Sequence, residues 1–499
     1  MAHEQRARAH VGMLEDLGDG LLLRRARRED AEAVAAFNAR VHFSGGPFEQ
    51  REPHRGIAAG TRDLMSGDHP TCEASDFTVV EETRTGSIVS SACLIPQRFS
   101  YEGLEFDAGL PELVGTHPDY RRRGLVRGQF EVLHRWSKER GHLMQAIAGI
   151  PHYYRRFGYE MAVYMGEGRR VYIQDVPGKP SSSDEGEGSR ISYRLRPAAV
   201  SDARFLSDLH RRGRERSLLT SSRDEELWRY EVAGRNPESD ESLEVNIVED
   251  AAGRSAGYVC HMRDFRGGTV QVEGYELANA VSWLEATPFV LSELAKIAHK
   301  RTSDGEKPSS LTFVLGEHHP LYEVIPEPPL YRLDRRDHYS FYVRVADRPA
   351  FLRHLAPVLE QRLASSVAAG HTGEFEVSFY EDGLRLELDR GRLSIVEDWT
   401  PTVEETGDVA FPDLTFLQLL FGYRSLEELV IVTVPKGRRA RHMTGLMLGP
   451  DAPDDLASRL KTHNVFVSVR GESVRVSPHL YNTERDVDLL FEILERVAV

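Results

Sequence analysis

The sequence predicts an α/β (α+β) protein. A mixed central sheet flanked by helices is built twice in tandem, followed by a smaller α+β domain and a small α/β C-terminal extension. Three features carry this expectation. A short apolar segment at 112–116 runs into a basic turn and then an amphipathic helix. A strand-then-helix opening occurs at 21–40 and again at 191–212. From residue 374, strand-like segments separated by turn residues are followed by short helices. With 499 residues, roughly three domains of about 150 each are expected.

The first opening, LLLRRARREDAEAVAAFNAR, reads as a strand and then a helix capped near Asp30. The next informative stretch is LPELVGTHPDYRRRGLVRGQF at 110–130. Val126, Phe130, Leu133 and Trp136 fall on one face of a helix by spacing, and Gly141 suits its end. A helix start carries unpaired backbone N–H groups and partial positive charge. Gly124 lets the backbone come close to a ligand, and arginines surround the turn, so this is a place to hold a pyrophosphate. About twenty residues further on comes IPHYYRRFGYE, at 150–160.

The second opening, ISYRLRPAAVSDARFLSDLHRR, repeats the strand and helix with a cap at Ser201 or Asp202. Between the copies, PGKPSSSDEGEGS is Pro, Gly, Ser and acid, and reads as a linker. Segments 243–250 and 256–265 suggest a hairpin around Gly253, 268–275 another strand, and 287–299 a helix. No Arg-x-x-Gly turn precedes that helix; SWLEATP stands there instead. Beyond residue 341, 349–367 reads as an amphipathic helix. Segment 374–398 reads as three strands with turns at Asp382-Gly383 and Asp389-Arg390-Gly391, and 411–429 supplies two short helices. The tail, 461–497, reads as two strands joined at Gly471 and a helix capped near Asn482 or Thr483.

Bulk properties exclude several classes. Hydrophobic residues make up 40%, enough for globular cores, and no run approaches the roughly 20 apolar residues of a membrane span. The N-terminal stretch is polar and lacks an apolar signal core, so a cytoplasmic location is expected. Cys72, Cys93 and Cys260 lie far apart and suggest neither a disulfide framework nor a zinc site. A net charge of −15 disfavours nucleic acid as the main partner and suits a cationic one.

Arg-x-x-Gly-x-Val at 121–126 resembles the coenzyme A loop of the GNAT acyltransferases, whose usual pattern is Gln/Arg-x-x-Gly-x-Gly/Ala; Val126 is a departure in the last place. Tyr154-Arg155-Arg156-Phe157-Gly158-Tyr159 resembles the later GNAT motif that sets a tyrosine beside the thioester sulfur. The succession of a GNAT fold, a second GNAT-like fold and a sterol-carrier-like domain resembles the enhanced intracellular survival (Eis) family of acetyltransferases over roughly residues 20–430. The domains implied are a catalytic GNAT domain at 1–180, a linker at 181–190, a degenerate GNAT-like domain at 191–342, a sterol-carrier-like domain at 343–434 and an extension at 435–499. The extension resembles the C-terminal end of class V aminotransferases, with Arg475 at the place of their substrate-carboxylate arginine. Nothing upstream supplies the matching large domain, so it reads as a fused structural fragment.

The resemblance implies transfer of an acetyl group from acetyl-CoA to an amine, without metal or pyridoxal phosphate. The acceptor would be an aminoglycoside, a lysine side chain or a related amine. It also implies a homo-oligomer, a hexamer being one form, with no nucleic-acid or membrane partner. Val114, Gly115 and Thr116 would offer backbone groups to the pantetheine arm, and Arg122, Arg123, Gly124, Leu125, Val126 and Arg127 would hold the pyrophosphate. Tyr154 would be the general acid to the thiolate. The base is left open between the terminal carboxylate of Val499, Glu112 and water; His117 and His152 flank the motifs. The rival reading is an acyl-CoA-binding sensor or interaction protein without turnover.

Overall fold

A computed structural model of the chain describes residues 13–42, 48–150, 152–164, 168–176, 193–265, 268–301, 308–325, 330–332, 340–402, 407–429, 444–447, 456–462, 468–470, 473–476 and 493. It forms two compact units, residues 1–347 and 348–499.

The first unit opens with β1 (Met13–Gly18) and β2 (Leu21–Arg25), then α1 (Ala31–Val41) and α2 (Arg55–Met65). Next come β3 (Phe77–Glu82), β4 (Ser87–Tyr101), β5 (Leu104–Thr116), α3 (Leu125–Glu139), β6 (Met144–Ala148), β7 (Glu160–Tyr164) and β8 (Arg169–Tyr172). The second half holds β9 (Arg194–Pro197), α4 (Ala203–Arg214), β10 (Leu219–Ser221), α5 (Glu225–Arg229), β11 (Leu243–Glu249), β12 (Ser255–Met262) and β13 (Thr269–Leu277). It closes with α6 (Trp283–Arg301), β14 (Ser310–Phe313), α7 (Leu321–Val324), β15 (Leu330–Arg332) and β16 (Ser340–Arg344).

Among the described residues these strands make two mixed sheets. The first runs β1-β2-β3-β4-β5-β6-β16-β7, with β10 pairing β4; the second runs β15-β8-β14-β13-β12-β11-β9. Both faces of the first sheet are buried, which is why Leu21, Leu22 and Leu23 can stand in succession. Leu125, Val132, Leu133 and Trp136 of α3 pack on one face with Leu23, Val80 and Ala92. Val34 of α1 and Met65 of α2 cover the other with Phe77, Val79 and Cys93.

The two openings share one construction. Arg24 forks onto Asp30 at 2.7 and 2.9 Å and donates Nε to Glu81 of β3. Arg196 forks onto Asp202 at 2.6 and 2.8 Å and donates Nε to Glu249 of β11. Each Asp also accepts a backbone N–H from three residues earlier, so the same device sets the strand-to-helix angle twice.

Strands cross the boundary drawn in the sequence between 1–180 and 191–342. β8 of the first stretch joins the second sheet, and β16, at 340–344, pairs antiparallel with both β6 and β7 in the first. β10 pairs with β4. Such pairings are set by register across the fold, not by local pattern. Helix α6 begins at Trp283, four residues before the expected start, and carries Pro288 within it. The three cysteines are free and buried.

The second unit holds α8 (Arg348–Ala364), β17 (Gly373–Ser378), β18 (Gly383–Asp389), β19 (Arg392–Trp399), β20 (Val409–Ala410), α9 (Phe416–Leu420) and α10 (Leu426–Leu429). Its sheet runs β19-β18-β17-β20, with Arg353 of α8 donating to the Val396 carbonyl at 2.7 Å. Farther on lie β21 (Thr444–Met447), α11 (Leu456–Thr462), β22 (Ser468–Arg470) and β23 (Ser473–Val476), the strands forming a small antiparallel sheet. Arg475 stands in β23 opposite Ser468. The tail helix expected after Asn482 lies outside the described residues except for Ile493, and so does Val499.

Candidate active site

Strands β5 and β6 run parallel, yet they pair only at Ala108 with Met144 and Gly109 with Gln145. Beyond that point they part. On its other edge β5 stays paired with β4 as far as Thr116 opposite Ser90, through a bulge that sets Leu113 and Val114 against Ala92 alone. Leu113 takes φ +52° there, a left-handed conformation unusual for a branched residue. The edge of β5 from 110 to 116 that faces β6 therefore has no ladder partner among the described residues.

The opening leads into a cavity of about 720 Å³, within the usual range for a small-molecule site. Val114, Gly115 and Thr116 form one wall. The start of α3 forms another. Gly124 is its N-cap at φ +80°, ψ 3°, supplies no capping side chain, and has open space where a Cβ would stand. Conformation, not crowding, requires glycine here. Gly124, Leu125, Val126 and Arg127 line the cavity, with Arg121 and Arg122 beside them. Uncapped N–H groups, the positive helix end and three guanidinium groups make an anion site in a chain whose net charge is −15. Arg123 does not line the cavity; its guanidinium lies 5.1 Å from the centre of the Tyr120 ring.

A buried polar network holds these two walls together. Gln129 of α3 accepts from Ser90 Oγ at 2.7 Å and donates to the Thr78 carbonyl and hydroxyl at 3.2 and 3.1 Å. Ser90 Oγ also lies 2.8 Å from the Gly115 carbonyl and 2.9 Å from Thr116 Oγ1. The position of α3 is thereby tied to the strand edge it faces.

The third wall is the short 3-10 turn Tyr154–Phe157. Tyr154 is 5% exposed and sits in an aromatic cluster with Phe130, Tyr159 and Tyr342. Phe130 of α3 stacks on Phe157 at 4.6 Å between centroids. Below the turn, Tyr159 Oη lies 3.0 Å from His134 Nε2 and donates to Gln145 Oε1 at 3.0 Å; Arg344 of β16 donates to the same oxygen at 3.1 Å. Tyr342 of β16 accepts the His152 N–H at 2.7 Å. Burial, aided by the Arg344 charge, depresses the His134 imidazole to about 3, so that ring is a neutral packing element.

Nine of the ten residues picked from the sequence thus surround one cavity, with Arg123 the exception. Of the base candidates, Glu112 has its carboxyl pushed up to about 8 by burial and by the Glu241 carboxylate, and it is not among the described residues lining the cavity. His117 caps the turn at 118–120 by accepting the Asp119 N–H, and His152 is exposed at φ +63°. Sequence reading missed Val41 and His42, which line the cavity from the end of α1. No local motif marks them; only the fold brings α1 to β5.

Residues 23–162 match the family model described as an acetyltransferase (GNAT) domain. No curated protein matches the chain. The structure resembles a probable N-acyltransferase from Enterococcus faecalis V583, at 15% identity and TM-score 0.56, over 82% of this chain and 91% of that one. It also resembles a GCN5-related N-acetyltransferase from Anabaena variabilis, at 14% identity and TM-score 0.53, over 82% and 92%. Eis1 from Mycobacterium abscessus aligns at 14% identity and TM-score 0.49, over 82% and 91%. The chain is an acyltransferase with a GNAT acetyltransferase domain on a mixed α/β fold. Domains of this kind use acetyl-CoA as co-substrate, and an amine acceptor is what they imply. Among the described residues, no helix is long and apolar enough to cross a membrane.

Proposed function

We propose that the protein transfers the acetyl group of acetyl-CoA to a primary amine, of an aminoglycoside, a lysine side chain or a related compound, by direct attack of the amine on the thioester. The observation that carries this reading is the meeting, in one cavity, of an unladdered strand edge, a cationic helix start and a buried tyrosine. The edge at Val114, Gly115 and Thr116 offers backbone groups to the pantetheine arm and N–H polarisation to the thioester carbonyl. Arg122, Arg127 and the N–H groups following Gly124 take the pyrophosphate. Tyr154 gives its proton to the departing thiolate.

The Eis resemblance extends the proposal to the rest of the chain: a sterol-carrier-like domain at 343–434, an extension at 435–499, and a homo-oligomer, for which light scattering is the test. The main experiment is thiol release from acetyl-CoA against aminoglycosides, polyamines and lysine peptides, with acetyl-CoA binding followed by calorimetry. Turnover with any amine supports the proposal. Tight binding with no turnover across the panel would defeat it.

A further inference from the structure

We propose that His42 is a further catalytic residue of this site and accepts the proton that the attacking amine sheds, an inference that rests on the acyl-transfer reading above. His42 follows the last residue of α1 and lines the cavity beside Gly115. A Cβ on Gly115 would stand 3.4 Å from His42 Nε2 and 2.5 Å from Cγ1 of Val41.

A neutral imidazole carries one N–H and one lone pair, so one of its two nitrogens can take a proton. The ring is on the wall of Val114, Gly115 and Thr116, along which the thioester arm is proposed to lie, and Tyr154 borders the same cavity. Among the described residues, the charged groups lining the cavity are cations, Arg121, Arg122, Arg127 and Arg156, and cations disfavour a second positive charge on the imidazole. His42 is exposed, and the partial desolvation it meets at the wall lowers it from its ordinary value, so it is neutral at physiological pH. The alternatives on β5 and beside it are less suited. Glu112 is largely protonated at neutral pH, and His117 uses Nδ1 to cap a turn.

The proton balance closes on these groups. The amine nitrogen forms a bond to the thioester carbonyl carbon, and its N–H proton passes to the free nitrogen of His42. The C–S bond breaks, and the thiolate takes a proton from Tyr154. His42 then releases its proton to solvent and Tyr154 regains one, so that one amine and one thioester yield one amide and one thiol.

The test compares full-length wild type, His42→Ala and His42→Gln in thiol release at saturating acetyl-CoA, with acetyl-CoA affinity measured on the same samples. Loss of the base should lower kcat by about 10²-fold or more in both variants, with affinity retained, and added imidazole should partly restore His42→Ala. Glutamine keeps a polar side chain of similar reach without an imidazole's basicity. Wild-type turnover in His42→Gln would mean that the ring only lines the wall, and would overturn the proposal. Parallel loss of acetyl-CoA binding in both variants would overturn it too. A wild type that binds acetyl-CoA yet acylates no amine would instead defeat the acyl-transfer reading itself.

Discussion

Gly149, just past β6, and Tyr154, on the turn that follows, are in direct contact: a Cβ built on Gly149 would collide with the Cδ2–Cε2 edge of the Tyr154 ring. The tyrosine is seated against bare backbone, and its position depends on that glycine as much as on its aromatic neighbours Phe130 and Tyr342. Gly149→Ala should move the ring and slow turnover, since a displacement of about 1 Å at a reacting group can cost on the order of 10²-fold. Stopped-flow thiol release will read this, and unchanged kcat would show that the ring position is immaterial.

Tyr154→Phe tests the hydroxyl apart from the ring. If Tyr154 is the acid, kcat should fall by about 10²-fold while acetyl-CoA affinity, measured by calorimetry, stays near wild type. Equal losses in kcat and affinity would mark the residue as structural.

The arginines of the turn should separate by geometry. Arg122 lines the cavity, whereas Arg123 leans on Tyr120. Arg122→Ala should weaken acetyl-CoA binding by roughly 10- to 100-fold, the worth of a hydrogen bond to a charged group, and added salt should narrow the gap. Arg123→Ala should change affinity far less. Equal effects of the two variants would reject the assignment of the phosphate wall.

Gln129→Ala removes one buried hydrogen-bond partner from Ser90 and one from Thr78, which keep the Gly115 and Ala92 carbonyls. Each lost hydrogen bond is worth about 0.5–1.5 kcal/mol, so the melting temperature should drop. Acetyl-CoA affinity should fall with it, because the same network fixes Gly115 and Thr116. A lower melting temperature with unaltered affinity would mean that the strand edge keeps its place without α3.

Glu112 makes stability depend on pH in a defined direction. Its carboxyl is raised from the ordinary 4.5 to about 8. Between those values the folded protein holds a proton that the unfolded chain releases, so this residue's contribution to stability falls as pH rises through that window. Glu112→Gln should match wild type in thermal scans near about pH 5 and melt higher than wild type near about pH 9. The opposite ordering at the higher pH would mean that the carboxylate is paired and stabilising.

Much of the architecture was legible because its causes are local. The helix from Leu125 announces itself by apolar spacing, a glycine before it and a glycine after it. The strand-helix openings repeat Arg, Asp and their spacing closely enough to build the same fork at Arg24–Asp30 and Arg196–Asp202. The basic turn and the tyrosine motif were legible for the same reason, since each is a short segment whose backbone geometry its own residues set.

The sequence by itself determined the strand-and-helix openings at 21–40 and 191–212, the helix from Leu125, where the basic turn falls, and which tyrosine follows it. Only the tertiary structure decided that β5 and β6 part after two paired residues, that residues 340–344 lie between β6 and β7, and that His42 comes to rest against Gly115. The physical reason is range. Helix starts and turns are settled by the dihedral preferences and side-chain contacts of neighbouring residues. Strand partners and cavity walls are settled by register and packing between segments far apart in the chain, whose free energies no single stretch contains.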